Sequence, residues 1–152
     1  QPGFVIGTEG ERAATIRKGA RAMAAVFQAR VPWVTIILRR AFGVAGAAHA
    51  NTSGLNLRYA WPSGDWGSLP VEGGIEAAYR RDLAAAEDPQ ALRNSLLERM
   101  NAVRSPFRTA EAFGIEHLID PRETRPILCN WVEQAYRVES TRLGPRTHGY
   151  RP

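Results

Sequence analysis

Residues 33–38, Trp-Val-Thr-Ile-Ile-Leu, are rich in β-branched side chains and apolar on both faces, and a strand of that kind needs cover on both sides. Almost directly after it comes a stretch with hardly any bulk, Arg40-Ala41-Phe42-Gly43-Val44-Ala45-Gly46-Ala47-Ala48-His49-Ala50. Small residues let backbone approach backbone or ligand closely. A strand that runs through a turn into a helix also presents free N–H groups at that helix's N-terminus. Upstream, residues 8–30 read as one helix, with Ala13, Ile16, Ala20, Met23 and Phe27 on one stripe. Thr8 is its expected N-cap, with Glu11 three positions on in a capping box. Helix followed by buried strand predicts an α/β fold.

The same reading places short strands at 57–61, 66–71 and 116–119, and helices at 72–81, 89–103 and 122–140, with a helical turn at 106–112. The tail from Leu143 is basic and expected to be irregular. No internal repeat or low-complexity linker divides the chain.

Composition narrows the chemistry. The 152 residues, 44% hydrophobic and 23% charged, are enough for a folded core. The longest apolar run is far below the roughly 20 residues that cross a bilayer. Cys129 is the only cysteine, so no internal disulfide and no thiolate zinc site can form. The three histidines, His49, His117 and His148, lie 68 and 31 positions apart, without metalloenzyme spacing. There is no nucleophile elbow and no phosphate-binding P-loop, and Gly43-Val44-Ala45-Gly46 lacks the third glycine of the dinucleotide fingerprint. A G-x-x-G loop also occurs in RNA-binding KH modules, but there it joins two helices, whereas here it follows a strand. The net charge of +5 is compatible with a polyanionic partner or simply with a solvated face. The opening Gln1-Pro2-Gly3, without initiator Met, basic leader or apolar signal core, predicts a chain processed or cut from a longer one.

Three candidate sites each carry two readings. His49 is either a packed or capping histidine or a catalytic one. Glu72 and Glu76 are either an acid–base pair at helical spacing or carboxylates favoured by a helix dipole. The backbone N–H groups of Val44 and Ala45, at the strand-to-helix turn, are either a preorganised cradle for a negatively charged oxygen or part of a tight helix–sheet contact.

Several segments together resemble a known family. These are Pro2-Gly3-Phe4 with Gly7-Thr8-Glu9, then Ile16-Arg17-Lys18-Gly19-Ala20-Arg21, then Val31 to Gly43, then Tyr59-Ala60-Trp61-Pro62. Gly73-Gly74-Ile75-Glu76 and Asp120-Pro121-Arg122-Glu123-Thr124-Arg125 extend the likeness to about Val138. In order and spacing the sequence is similar to the C-terminal half of carboxyltransferase β subunits of biotin-dependent acyl-CoA carboxylases of the propionyl-CoA and methylcrotonyl-CoA type.

The resemblance implies a crotonase-like (ClpP-like) spiral of ββα units, of which residues 1–141 would be an N-terminally incomplete C-terminal, biotin-side domain and 142–152 an irregular tail. In such enzymes one domain holds acyl-CoA. The C-terminal domain of a neighbouring subunit holds carboxybiotin delivered by a carrier. Two backbone N–H groups stabilise the enolate oxygen of biotin after CO₂ leaves, and biotin then takes the α-proton of the acyl-CoA, whose carbanion attacks CO₂. The matching donors are Val44 and Ala45, with Phe42, Gly43, Gly46 and Ala47 lining the cofactor site. Where propionyl-type members continue this turn with Tyr and Asp, this chain has Gly46-Ala47.

The implied cofactor is biotin, with acyl-CoA as substrate. The implied partners are a biotin carboxylase or biotin carboxyl carrier subunit and further copies in a dimer-based oligomer, up to a hexamer, with neither nucleic acid nor membrane. The implied compartment is the cytoplasm, or the mitochondrial matrix in a eukaryote. Two other readings of the same fold are a non-catalytic assembly subunit, using apolar helix faces such as residues 92–103, and a biotin-dependent acyl-CoA decarboxylase subunit.

Overall fold

In the computed structural model, residues 3–5, 7–49, 54–67, 70–111 and 114–144 are described. Two strands and a helix, β1 (Trp33–Ile37), β2 (Arg40–Phe42) and α3 (Gly43–Ala47), are followed by two more strands and a helix, β3 (Asn56–Ala60), β4 (Asp65–Gly67) and α4 (Val71–Ala78). The second unit adds one strand to each of two sheets. β3 pairs parallel with β1 (Thr35 beside Arg58, Ile37 beside Ala60), and β4 pairs parallel with β2 (Arg40 beside Asp65, Phe42 beside Gly67). A last strand, β5 (His117–Leu118), completes the order β1-β3-β5. This is the ββα advance expected above.

Within the described residues β1 and β2 are edge strands. Residues 33–36 are therefore half-buried and Leu38 is 48% exposed, rather than covered on both sides as the sequence predicts. Ile37, Ala60 and Ile115 form one core, with Ala41 and Trp66 of the second sheet packed on it. The first sheet thus presents its Ile37–Ala60 face to β2 and β4. The opposite face, with Leu57, Tyr59 and His117, looks across a space of about 360 Å³ to Ile127 and Trp131 of helix α8 (Thr124–Glu139). Trp61 Nε1 donates to Thr124 Oγ1 (2.9 Å), tying the end of β3 to the start of that helix.

The N-terminal helix is two helices. α1 (Thr8–Arg12) and α2 (Thr15–Gln28) are separated by Ala13 and Ala14, the latter at φ 56°, a left-handed conformation that costs an alanine about 1–2 kcal/mol. The incoming segment explains the break. A Cβ on Gly10 would sit 2.8 Å from the Val5 carbonyl oxygen, and one on Gly19 would sit 2.6 Å from the Phe4 ring. On a continuous helix Gly10 and Gly19 would lie on opposite faces, about 180° apart at 3.6 residues per turn, so neighbouring residues Phe4 and Val5 could not touch both. Breaking the helix brings both glycines to the same strand of chain. Gly7, not Thr8, is the N-cap, and no side chain caps the helix, so the capping box does not form.

The helices at the other end pack as one unit. α4 ends before Tyr79, whose φ −112°, ψ 22° is not helical, and α5 (Arg80–Ala85) begins after it, where the sequence predicts a single helix over 72–81. Val71 and Ile75 pack on Leu96 of α6 (Pro89–Val103), with Leu92, Leu97 and Met100 around them. The apolar face of α6, offered above as an association surface, is thus engaged in this core. Asp88 caps α6 by accepting from the N–H groups of Gln90 (3.0 Å) and Ala91 (2.9 Å). Helix α7 (Pro106–Glu111) leads to β5, and a 3-10 turn at Pro121–Glu123 leads into α8. The extended piece expected at 66–71 is shorter, since β4 ends at Gly67 and Val71 opens α4. A final 3-10 turn ends at Arg142, and most of the basic tail lies outside the described residues. No helix among the described residues is long and apolar enough to cross a membrane.

Candidate functional site

The strand-to-helix turn forms where the sequence places it. Phe42, extended at φ −119°, ψ 149°, is the N-cap of α3, and Gly43 follows at φ 59°. That angle reverses the chain from β2 into the helix and strains any residue with a Cβ. The N–H groups of Val44 and Ala45 fall in the first turn of α3, where no carbonyl lies four residues earlier within the helix to receive them. The Ala48 N–H closes the turn on the Val44 carbonyl (2.9 Å).

The helix lies hard against its own strand. A Cβ on Gly46 would be 2.8 Å from the Ala41 carbonyl carbon and 3.0 Å from its oxygen. Phe42, Ala45 and Ala48 are buried at 3%, 2% and 7% exposure, whereas Val44 is 54% exposed on the other side of the helix. The open side faces a cavity of about 1200 Å³ that runs along β1. Gly43, Val44 and Gly46 line it; Phe42 and Ala45 do not, since their side chains form the packed underside of the turn. The backbone of Ala47 completes α3.

The cavity wall is cationic. Arg39, Arg40 and Arg58 line it, and no carboxylate is among its described lining residues. Asp65 lies behind that wall, where Arg104 Nε donates to its Oδ1 (2.7 Å) and Arg104 Nη2 to its Oδ2. This hydrogen bonding, helped by the charges of Arg104, Arg40 and Arg39 and opposed by burial, lowers the pKa of Asp65 below its ordinary value. Asp65 is therefore held as a carboxylate engaged with arginine.

Of the remaining candidates, His49 lies at the same cavity and Glu76 does not. His49 is half-buried at the cavity, and its backbone carbonyl accepts from Thr35 Oγ1 (2.7 Å). Glu76 lies on exposed α4 surface; its bond from Arg93 Nε (2.7 Å), together with the backbone N–H groups of Glu76 and Gly73 near the start of its own helix, lowers its pKa, so the interhelical pair adds to the favourable helix-terminus position. The side chain of Glu72 lies outside the described residues. Tyr59 stacks on His117 with ring centroids 6.5 Å apart, on the α8 side of the sheet and away from the cavity. Burial, with a smaller contribution from Glu116, raises the Tyr59 pKa. Among the described residues no three His, Cys, Asp or Glu side chains converge as metal ligands.

Sequence reasoning does not single out Trp33, Thr35, Arg58 or Trp66, all of which line the cavity. The available signal was the i, i+2 spacing of Trp33 and Thr35, polar-tipped side chains on one face of an otherwise aliphatic strand.

The carboxyl transferase domain model matches residues 1–150. This chain belongs to the carboxyl transferase domain family. It is 33% identical over 153 aligned residues to the methylmalonyl-CoA carboxyltransferase 12S subunit of Propionibacterium freudenreichii subsp. shermanii, covering 99% of this chain and 29% of that protein. It is 35% identical to the propionyl-CoA carboxylase carboxyltransferase subunit of Haloferax mediterranei, over 82% of this chain and 24% of that subunit. The crystal structure of the transcarboxylase 12S hexamer, with methylmalonyl-CoA and methylmalonic acid bound, superposes with a TM-score of 0.73 at 32% identity, over 98% of this chain and 29% of that one. This chain thus has the crotonase-like fold of the family and spans less than a third of the length of these relatives.

Proposed function

We propose that this carboxyl transferase chain is the biotin side of an acyl-CoA carboxyltransferase, in which the N–H groups of Val44 and Ala45 hold the ureido oxygen of carboxybiotin while a carboxyl group passes to the α-carbon of an acyl-CoA. The observation that carries the reading is the first turn of α3, stripped of side chains at Gly43 and Gly46, opening onto a cavity walled by arginines. The residues present fit a flat, polar bicyclic ring: the cavity volume exceeds what such a ring needs, and the turn offers donors of the kind that one carbonyl oxygen requires.

When bound, carboxybiotin supplies the carboxyl group and then a ring nitrogen that serves as base. The chain contributes orientation and charge. Val44 and Ala45 donate to the ureido oxygen as negative charge grows on it, and the α3 dipole reinforces them. Gly43 and Gly46 keep Cβ atoms from the turn, and buried Phe42 fixes where it starts. Ala47 continues the turn that backs the cofactor. Arg39, Arg40 and Arg58 bias the cavity toward anionic groups. Losing one such donor in other enzymes costs about 10²–10³ in rate.

On this reading residues 1–141 form the biotin-side domain. The partners are a biotin carboxylase or biotin carboxyl carrier and further copies of the polypeptide, in keeping with the hexamer of the 12S relative. The compartment on this reading is the cytoplasm, or the mitochondrial matrix in a eukaryote. The test is reverse transcarboxylation: the native polypeptide is incubated with methylmalonyl-CoA or malonyl-CoA and free biotin or a biotin carrier, and carboxybiotin is measured. Transfer is expected, and Ala45→Pro, which deletes one donor, lowers it by about 10²–10³-fold. No transfer from any acyl-CoA overturns the reading, and retained oligomerisation without transfer points to the assembly role. Net carboxylation on adding ATP and a biotin carboxylase separates a carboxylase from a decarboxylase subunit.

A further inference from the structure

We infer that Thr35 is a positioning residue for the oxyanion turn, its hydroxyl tethering the end of α3 to β1. The inference rests on the function proposed above. α3 has five residues, far too few for a helix to hold its own shape in water, so its direction is set by whatever fixes its two ends. At the N-terminal end it continues from β2, which is paired with β4. In the middle Gly46 rests on the Ala41 backbone. Beyond the C-terminal end, Thr35 Oγ1 bonds the His49 carbonyl at 2.7 Å across 14 positions of sequence.

The direction of that bond is determined by its neighbours. Trp33 Nε1 lies 3.2 Å from the same Oγ1, and an indole nitrogen only donates. A carbonyl only accepts, so the single hydroxyl hydrogen goes to His49 while a lone pair receives Trp33. The β-branch limits the rotamers of Thr35, and its backbone is paired with Arg58 of β3. The tether therefore starts from a fixed point in the larger sheet and ends on His49, just past the C-cap of the helix that carries the Val44 and Ala45 donors. Without it, the end of α3 relies on the Ala45 and Ala48 packing, the Gly46–Ala41 contact and its own Ala48–Val44 bond, none of which reaches β1, and the donors lose alignment.

Thr35→Val and Thr35→Ser in the native polypeptide test this by transfer from methylmalonyl-CoA to free biotin. Valine keeps shape and strand propensity but removes the hydroxyl; serine keeps the hydroxyl. The expected result for Thr35→Val is a kcat lower by about tenfold, the scale set by sub-ångström misplacement of reacting groups, with KM for the acyl-CoA unchanged. Thr35→Ser is expected to retain most of kcat, and amide exchange across residues 43–49 to quicken in Thr35→Val alone. Wild-type kcat in Thr35→Val, or equal defects in both variants, overturns the inference. If wild type transfers nothing to biotin, the proposed function fails, and unchanged amide exchange in Thr35→Val separately overturns the tether. Should Thr35→Val not fold, Trp33→Phe, which removes the donor that orients the hydroxyl, is expected to show a smaller kcat loss with unchanged KM, and no loss overturns the inference.

Discussion

Replacing Gly46 with alanine separates the stability of the turn from its chemistry. The new Cβ would lie 2.8 Å from the Ala41 carbonyl carbon, against 3.4 Å or more in ordinary contact, so α3 must move off β2 by about 0.6 Å. The obstacle is backbone inside a paired strand, which does not swing aside as a side chain would. Overpacking of this kind costs about 1–3 kcal/mol. The higher helix propensity of alanine returns about 1 kcal/mol. The net loss is about 0–2 kcal/mol, a Tm shift of a few degrees at about 2–4 °C per kcal/mol in a protein of this size or larger. The effect on rate is larger, because the N–H groups of Val44 and Ala45 ride on the displaced helix. A misplacement of 1 Å can cost 10²-fold, so a shift of about 0.6 Å is expected to lower kcat by about 10- to 100-fold. The assay is carboxyl transfer to free biotin at saturating acyl-CoA, run beside a thermal melt of the same protein. A Gly46→Ala protein with kcat within twofold of wild type would refute the claim that helix–strand separation sets donor position, whatever its Tm.

Three further outcomes follow from the packing and the charges. Ile75 is 1% exposed between α4 and α6, and Ile75→Ala is expected to cost about 2–5 kcal/mol in chemical denaturation; a loss below 1 would mean that these helices do not depend on that contact. Asp88→Ala removes the α6 cap and is expected to cost about 1 kcal/mol, read by the same denaturation curve, whereas Asp88→Asn is expected to restore most of it. Asp65→Asn breaks the hydrogen-bonded pair with Arg104, worth about 1.5–3 kcal/mol at pH 7. Because the folded-state pKa of Asp65 is lowered, its contribution is complete above the unfolded value of about 3.9 and is lost as pH falls through the folded value. The gap between wild type and Asp65→Asn should therefore close on acidification below about pH 4, and an equal gap at pH 3 and pH 7 would overturn the assignment.

What could be read from the sequence depended on whether the cause was local. α6 appears with its expected bounds because Asp88, Pro89 and the Leu92–Leu96–Met100 spacing all lie inside the segment. β1 and the turn into α3 are legible for the same reason, since β-branched residues and then residues without bulk state their geometry in order. The break at Ala14 is not legible, because its cause is a contact made by Phe4 and Val5 with glycines nine positions apart. Nor is the strand order β1-β3-β5 among the described residues, which depends on which strands pair and not on what β1 contains.

The site shows the same division, with a consequence for how it tolerates change. Its proposed donors are backbone atoms, so the side chain at 44 can be a valine that is 54% exposed without removing an N–H. The residues under strict physical demand are those that place the backbone. Gly43 must take φ 59°, Gly46 must sit against Ala41, and Thr35 must reach the carbonyl of His49. The first two demands leave a mark in sequence, because glycine meets them at the least cost. The third does not, because its acceptor is a main-chain oxygen that every residue possesses. A search for acids and bases in this chain therefore finds Asp65 and Glu76 already committed to Arg104 and Arg93. The turn becomes visible only when the small residues are read as space left for a ligand.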